Sequence, residues 1–367
     1  MKLDSLQYVR GVAALLVVFY HVTVYLARVV GDSSLHDIFG GTPGLLGVLA
    51  FFVVSGYLMA DIAPKYKPAT FLMHRVIRIY PAYWFCVVVA GLFYTALWIA
   101  SRPNADYVPS IKAMLWNSSD ALALLRLTLS PIVFNDYPLG IEWTLLYETT
   151  FYVIIFTVSL LGGIKYLLQI SLVWLAAVVG AEVLFPARQA GYTQPSLLTV
   201  LLFGINSAFI FGIVGRKIQN WIRPYYAFAL GSLLICLNVL IPHPYTMLQT
   251  CAGVAALVMG FIALELRGRL PKVPSLGHLG NWSYALYLIH VPVILGIMKL
   301  VTAPSWFLAI ACVVVAVAVS AVLGTLDVAG YGWLKRIADR SDGAHRVIAG
   351  LFVLVFLVAG ILGLRRG

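Results

Sequence analysis

Between residues 9 and 364 this chain is a succession of apolar stretches, each about twenty residues long and separated by short polar turns. That length is what an α-helix needs to cross the hydrocarbon core of a bilayer. Candidate spans fall near 9–30, 44–60, 79–100, 138–161, 167–184, 196–214, 225–241, 247–264, 283–300, 305–326 and 347–364. The stretch 167–184 is crowded at its end by Glu182 and Pro186. In lipid a backbone must satisfy its own hydrogen bonds, which segments of this kind do as helices. The expectation is an all-α integral membrane protein, a polytopic bundle of about 10–11 transmembrane helices. Composition agrees: 62% of residues are apolar and 11% charged, against about half and a quarter in soluble domains. The first stretch is expected to stay as a helix, because Asp4 joins Lys2 ahead of it and the apolar run continues to Val30 without a cleavage site. One membrane-embedded domain over 1–367 is expected, with a core at 3–328 and a polar loop and last helix at 329–367.

The formal charge of +11 has two readings. Nucleic-acid binding needs a basic stripe, whereas most of the 25 Lys and Arg here lie in short runs between apolar segments. With the N-terminus in the cytoplasm, the inner loops gather Lys65, Lys67, Arg75, Arg78, Lys165, Arg216, Lys217, Arg223, Arg267, Arg269, Lys272, Lys335, Arg336, Arg340 and Arg346. This is the positive-inside pattern, so the expected surroundings are membrane lipids and not nucleic acid. The longest outer loop, 101–137, contains Tyr107, Trp116, Phe134 and Tyr137 and is expected to form a folded or re-entrant cap. Cys86, Cys236, Cys251 and Cys312 lie in apolar runs without CxxC spacing, and read as small core residues instead of disulfides or metal ligands.

Ionisable residues within spanning helices are costly and usually face a cavity. Arg10 opens the first helix, and His21 follows eleven residues later, on the same face and about 16 Å deeper at 1.5 Å per residue. Arg75 and Arg78, three apart at the start of the third helix, share a face there; anchoring at the membrane surface is their ordinary alternative. Glu148 is expected at the depth of His21, entering from the opposite side, where it would form a proton-handling pair with the imidazole. Ser55-Gly56 makes a small polar notch in the second helix. Tyr287 and His290 stand one turn apart in "SYALYLIHVP", where a lone His is more often a packing residue than a catalyst. Asp327 is expected to pair with Lys335 or Arg336. No P-loop, GxGxxG, HExxH or GxSxG pattern occurs. Inner-face arginines suit a phosphate-bearing donor, and a base near the midplane suits transfer to an acceptor from the other side.

Together these motifs resemble the acyltransferase-3 family of membrane acyltransferases. The resemblance rests on Arg10-x10-His21, "FFVVSGYLM", Arg75-x-x-Arg78, Trp143-x4-Glu148 and "SYALYLIHVP", in that order across residues 3–292. The wording is most similar to the bacterial branch that acetylates exopolysaccharides. It implies an O-acetyltransferase of the bacterial inner membrane, carrying an acetyl group from cytoplasmic acetyl-CoA to a hydroxyl of an exported, possibly lipid-linked, glycan. It implies His21 as catalytic base or acyl relay and Glu148 as its helper. Arg10, Arg75 and Arg78 would handle CoA, Ser55, Tyr287 and His290 would line the same cavity, and no metal is required. The chain departs from the family at Asp327-Val328, where relatives carry Glu-Pro, and at His74-Arg75, where they carry two arginines. A glycan transporter is the competing reading, although no inverted repeat is visible; acyl transfer to a non-glycan acceptor is the other.

Overall fold

The computed structural model describes residues 3–101, 127–131, 138–186, 191–241, 246–301, 303–340 and 342–364. Among these residues the chain is helical, with no strand. Helix α1 runs Asp4–Tyr25, α2 Ser34–Phe39, α3 Thr42–Ile62, α4 Pro68–Ser101, α5 Glu142–Leu160 and α6 Leu167–Leu184. They are followed by α7 Asn206–Ile218, α8 Pro224–Leu240, α9 Thr246–Leu266, α10 Pro274–Leu300, α11 Ser305–Ala338 and α12 Asp342–Leu364. Nine of the described helices are long and apolar enough to cross a membrane. The other two expected spans are shorter. The stretch 196–203 forms turns, leaving α7 only 13 residues, about 20 Å of helix. Helix α8 has 17 residues. In the opposite direction, α4 and α11 each reach 34 residues, so Arg75, Arg78, Lys335 and Arg336 lie on helices that extend beyond the apolar stretch. Residues 329–338, expected in a loop, continue α11. The proposed cap falls on 102–126 and 132–137, outside the described residues, but the ends that flank them, Leu129 and Leu139, are buried in the core.

The centre of the bundle is α1, packed mainly on α10 and α3, with α3 in turn packed on α7. Two close approaches determine that arrangement. A Cβ at Gly56 would sit 1.9 Å from the Phe209 carbonyl oxygen, and one at Gly212 would sit 2.1 Å from that of Val53, so α3 and α7 cross where neither carries a side chain. Across α1 and α10, a Cβ at Gly280 would meet the Gln7 carbonyl oxygen at 2.1 Å. Large apolar side chains on α6, α11 and α12, such as Val173, Val322 and Leu351, face outward. Polar ones such as Asn206, Ser283 and His290 are fully buried. Of the cysteines, Cys86, Cys251 and Cys312 are buried as expected, whereas Cys236 is exposed on α8.

Polar pairs tie one end of the bundle together. The Glu265 carboxylate accepts the Asp4 and Ser5 amides, both at 2.8 Å, supplying the cap that Leu3 lacks. The Tyr8 hydroxyl accepts the Val273 amide at 2.7 Å. Arg216 pairs with Asp61 at 2.7 Å, and His74 with Asp339 at 2.7 Å. Replacing Glu265 by Ala is expected to lower stability by about 1–2 kcal/mol, the worth of an N-cap, read as a lower unfolding temperature in detergent. Glu265→Gln, which keeps an acceptor, is expected to lose less.

Candidate active site

The site starts from α1. Arg10 lies on the face of that helix turned toward a cavity that also receives Ser55 from α3, Arg75 and Arg78 from α4, Glu148 and Tyr152 from α5, and Tyr284 and Tyr287 from α10. The cavity has a volume of about 130 Å³ and is partly open to the outside. Three guanidiniums therefore face one lining carboxylate. They are held differently. Arg78 donates to Asp327 at 2.7 Å and lies over the rings of Tyr284 and Tyr331, at 5.1 and 5.5 Å. Arg75 stands 5.9 Å from the Tyr152 ring centroid, and its buried Nε has no hydrogen-bond partner. Glu148 accepts a short hydrogen bond from the Tyr152 hydroxyl, one helical turn along α5. Ser55 places a buried hydroxyl without a partner at the same wall. Asp327 thus pairs across the bundle with Arg78, not with Lys335 or Arg336. Both of those side chains lie two or more turns further along α11, toward its end.

His21 is elsewhere. Its Nδ1 lies 3.0 Å from the Val17 carbonyl oxygen and 3.1 Å from Nε2 of His290, with the two ring centroids 4.8 Å apart. Tyr287 joins the two regions. It lines the cavity, its hydroxyl meets the Thr144 hydroxyl at 2.5 Å, and its ring lies 6.0 Å from that of His290.

Arg10, Ser55, Arg75, Arg78, Glu148 and Tyr287 are therefore brought together, and His21 and His290 form a neighbouring pair. The expected hydrogen-bonded pair of His21 and Glu148 is not formed. The cause is the depth at which α5 begins. The segment before α5 turns into the bundle: Leu139 and Ile141 are buried, and the fully buried Glu142 accepts their amides at 2.8 and 2.9 Å. Starting deeper, α5 carries Glu148 past the level of His21 and into the arginine chamber. Sequence reasoning gave no role to Thr144 or Tyr152. Tyr152 has a signal, the i, i+4 spacing from Glu148; Thr144 has none, since its contact depends on the unforeseen register. Among the described residues no group of three or more His, Cys, Asp or Glu gathers as a metal site would require.

A bundle of membrane-length helices with a cationic chamber beside an imidazole pair is the framework of a multi-pass membrane protein. The chain belongs to the acyltransferase-3 family: the family's acyltransferase domain matches residues 3–325. It is 30% identical over 329 residues to the exopolysaccharide production protein ExoZ of Rhizobium meliloti (strain 1021), covering 84% of this chain and 94% of that one. It is 26% identical over 324 residues to the acyltransferase MdmB of Streptomyces mycarofaciens, covering 80% of this chain and 79% of the relative. No solved structure matches the chain. The protein is thus an acyltransferase by family.

Removing one partner of a partly buried ion pair costs more than removing both, because it strands a charge. Asp327→Ala is expected to destabilise the protein by about 3 kcal/mol or more. The double variant Arg78→Met with Asp327→Ala is expected to recover part of that loss, as read in a thermal double-mutant cycle.

Proposed function

We propose that this protein is an O-acetyltransferase that moves the acetyl group of acetyl-CoA to a hydroxyl of an exported glycan. The observation that carries this reading is the chamber itself, with three guanidiniums against one lining carboxylate. A ligand with several phosphates neutralises such a surplus and forms the strong, charge-assisted hydrogen bonds that the Arg75 Nε lacks. The gathering of Lys65, Lys67, Arg216, Arg267 and Lys335 at one end of the bundle supports a cytoplasmic position for that end, and for the N-terminus with it, by the positive-inside rule, in the inner membrane of a bacterium. CoA comes from that side. Its phosphates bind Arg10, Arg75 and Arg78, with Glu148 and Tyr152 setting the positions of Arg10 and Arg75. Its arm carries the thioester past Ser55 and Tyr287 toward His21.

At His21 the imidazole removes the proton of the acceptor hydroxyl. The oxygen attacks the thioester carbonyl, the carbon–sulfur bond breaks, and the thiolate takes the proton back from the ring. A positioned base of this kind contributes about 10²–10⁴-fold. Transfer through an acetylated His21 is the covalent variant of the same site. A glycan acceptor is supported by the printed name of one relative, an exopolysaccharide production protein; the printed name of the other states acyl transfer alone.

His21→Ala is expected to abolish release of CoA from acetyl-CoA by the purified protein, while the protein keeps its folded elution profile. Release at the wild-type rate would contradict the role of His21. Arg75→Ala is expected to raise KM for acetyl-CoA by about 10-fold or more, from the loss of a hydrogen bond to a charged group. Mass spectrometry of surface glycans from a strain lacking the gene is expected to show loss of acetyl groups. An unchanged pattern would exclude the glycan acceptor.

A further inference from the structure

The two imidazoles at the end of the Tyr287 connection fix each other's hydrogen-bonding roles. A neutral imidazole has one N–H and one bare nitrogen. In His290, Nδ1 lies 3.1 Å from the Leu286 carbonyl oxygen. A carbonyl only accepts, so Nδ1 carries the proton and Nε2 is the bare nitrogen. That nitrogen faces Nδ1 of His21 at 3.1 Å, and the same Nδ1 faces the Val17 carbonyl oxygen at 3.0 Å. Two acceptors converge on His21 Nδ1, which therefore holds the proton and donates to both. The remaining nitrogen of His21, Nε2, is bare and has no hydrogen-bond partner among the described residues. His21 is half-buried, whereas His290 is completely buried. One ring is thus open for chemistry and the other is enclosed behind it.

We propose that His290 is a positioning residue for acyl transfer, which accepts from His21 Nδ1–H and so presents Nε2 as the base. This rests on the reading of His21 given above and replaces a cavity-lining role for His290. During the reaction Nε2 of His21 takes the proton of the acceptor hydroxyl, and the ring becomes an imidazolium. The acceptor oxygen forms its bond to the thioester carbon, the carbon–sulfur bond breaks, and the Nε2 proton passes to the departing thiolate. His290 gains and loses no proton. Its bare Nε2 holds the Nδ1–H throughout and stabilises the positive ring, the part that a carboxylate plays in a serine-protease triad. A neutral partner serves here because the pair lies inside the bundle, where a buried carboxylate without further partners is costly. It also explains why Glu148 is not required beside His21.

Two variants of full-length protein in detergent test this. His290→Gln keeps an acceptor oxygen near the position of Nε2, and His290→Phe keeps a ring of similar size without an acceptor. With acetyl-CoA as donor and the host strain's alkali-deacetylated surface polysaccharide as acceptor, His290→Phe is expected to lower kcat about 10²-fold or more, within the range of a positioned base. KM for acetyl-CoA is expected to stay within about twofold, because the arginine chamber is untouched. His290→Gln is expected to restore most of kcat. Solid-state ¹⁵N spectra of histidine-labelled wild-type protein, with His21 assigned by comparison with His21→Gln, are expected to show a protonated Nδ1 and a bare Nε2. A protonated Nε2 on His21, or His290→Phe turning over at the wild-type rate while His21→Ala is silent, would overturn the positioning role alone. Activity in His21→Ala would overturn the proposed function beneath it.

Discussion

Arg78 sits within an apolar bundle because Asp327 meets it at 2.7 Å and two tyrosine rings cover its faces. A guanidinium does not discharge its cost in such a place by losing its proton; it requires partners. The rest of the site follows from that requirement. With Arg78 neutralised by Asp327, which lies outside the cavity lining, Arg10 and Arg75 are left with Glu148 as the one lining carboxylate, and the chamber keeps a surplus of positive charge. Of the helices supplying these residues, α1 and α10 are held together by a backbone contact that only glycine allows at Gly280, and α3 is held on α7 by those at Gly56 and Gly212. Packing sets where the charges stand, and the charges set what the cavity attracts.

The chamber and the imidazole pair are separate in space and linked by single residues. Tyr287 touches both, with its hydroxyl on Thr144 and its ring near His290. The separation suits a reaction whose two substrates differ in size and charge and arrive from different faces. On the proposed function, a phosphate-rich donor is held at the Arg10 end of α1, and His21 acts as base near the other. The same helix carries both groups on one face, so its rigidity fixes the distance between them.

Much of this is legible in the sequence. Arg10 and His21 share a face of α1 because eleven residues make nearly three whole turns, which tertiary structure has little freedom to change. The arginines of α4 and the Ser55-Gly56 notch were recognisable for similar reasons, being local spacings on single helices. What failed depended on where a helix starts within the bundle. Glu148 reads as level with His21 only if α5 begins at the membrane surface; Leu139 and Ile141 are instead buried, and Glu142 accepts their amides from within. Sequence proximity pairs Asp327 with neighbours on its own helix, whereas its partner comes from α4, some 250 residues away in sequence. Counting apolar windows also overestimated the membrane-length helices, because a window cannot separate the turns at 196–203 from the short helix behind them. Periodicity reports faces; it does not report depth.

The central claim is that the chamber is the donor site and opens toward the end of the bundle where α1 begins. Ser55→Cys, in a protein whose exposed Cys236 is replaced, places a thiol on the chamber wall. Its reaction with a membrane-impermeant maleimide can be followed in vesicles of both orientations. The account predicts labelling only from the face that carries Lys65 and Arg216, and protection by CoA. Labelling from the opposite face, or labelling indifferent to CoA, would contradict it.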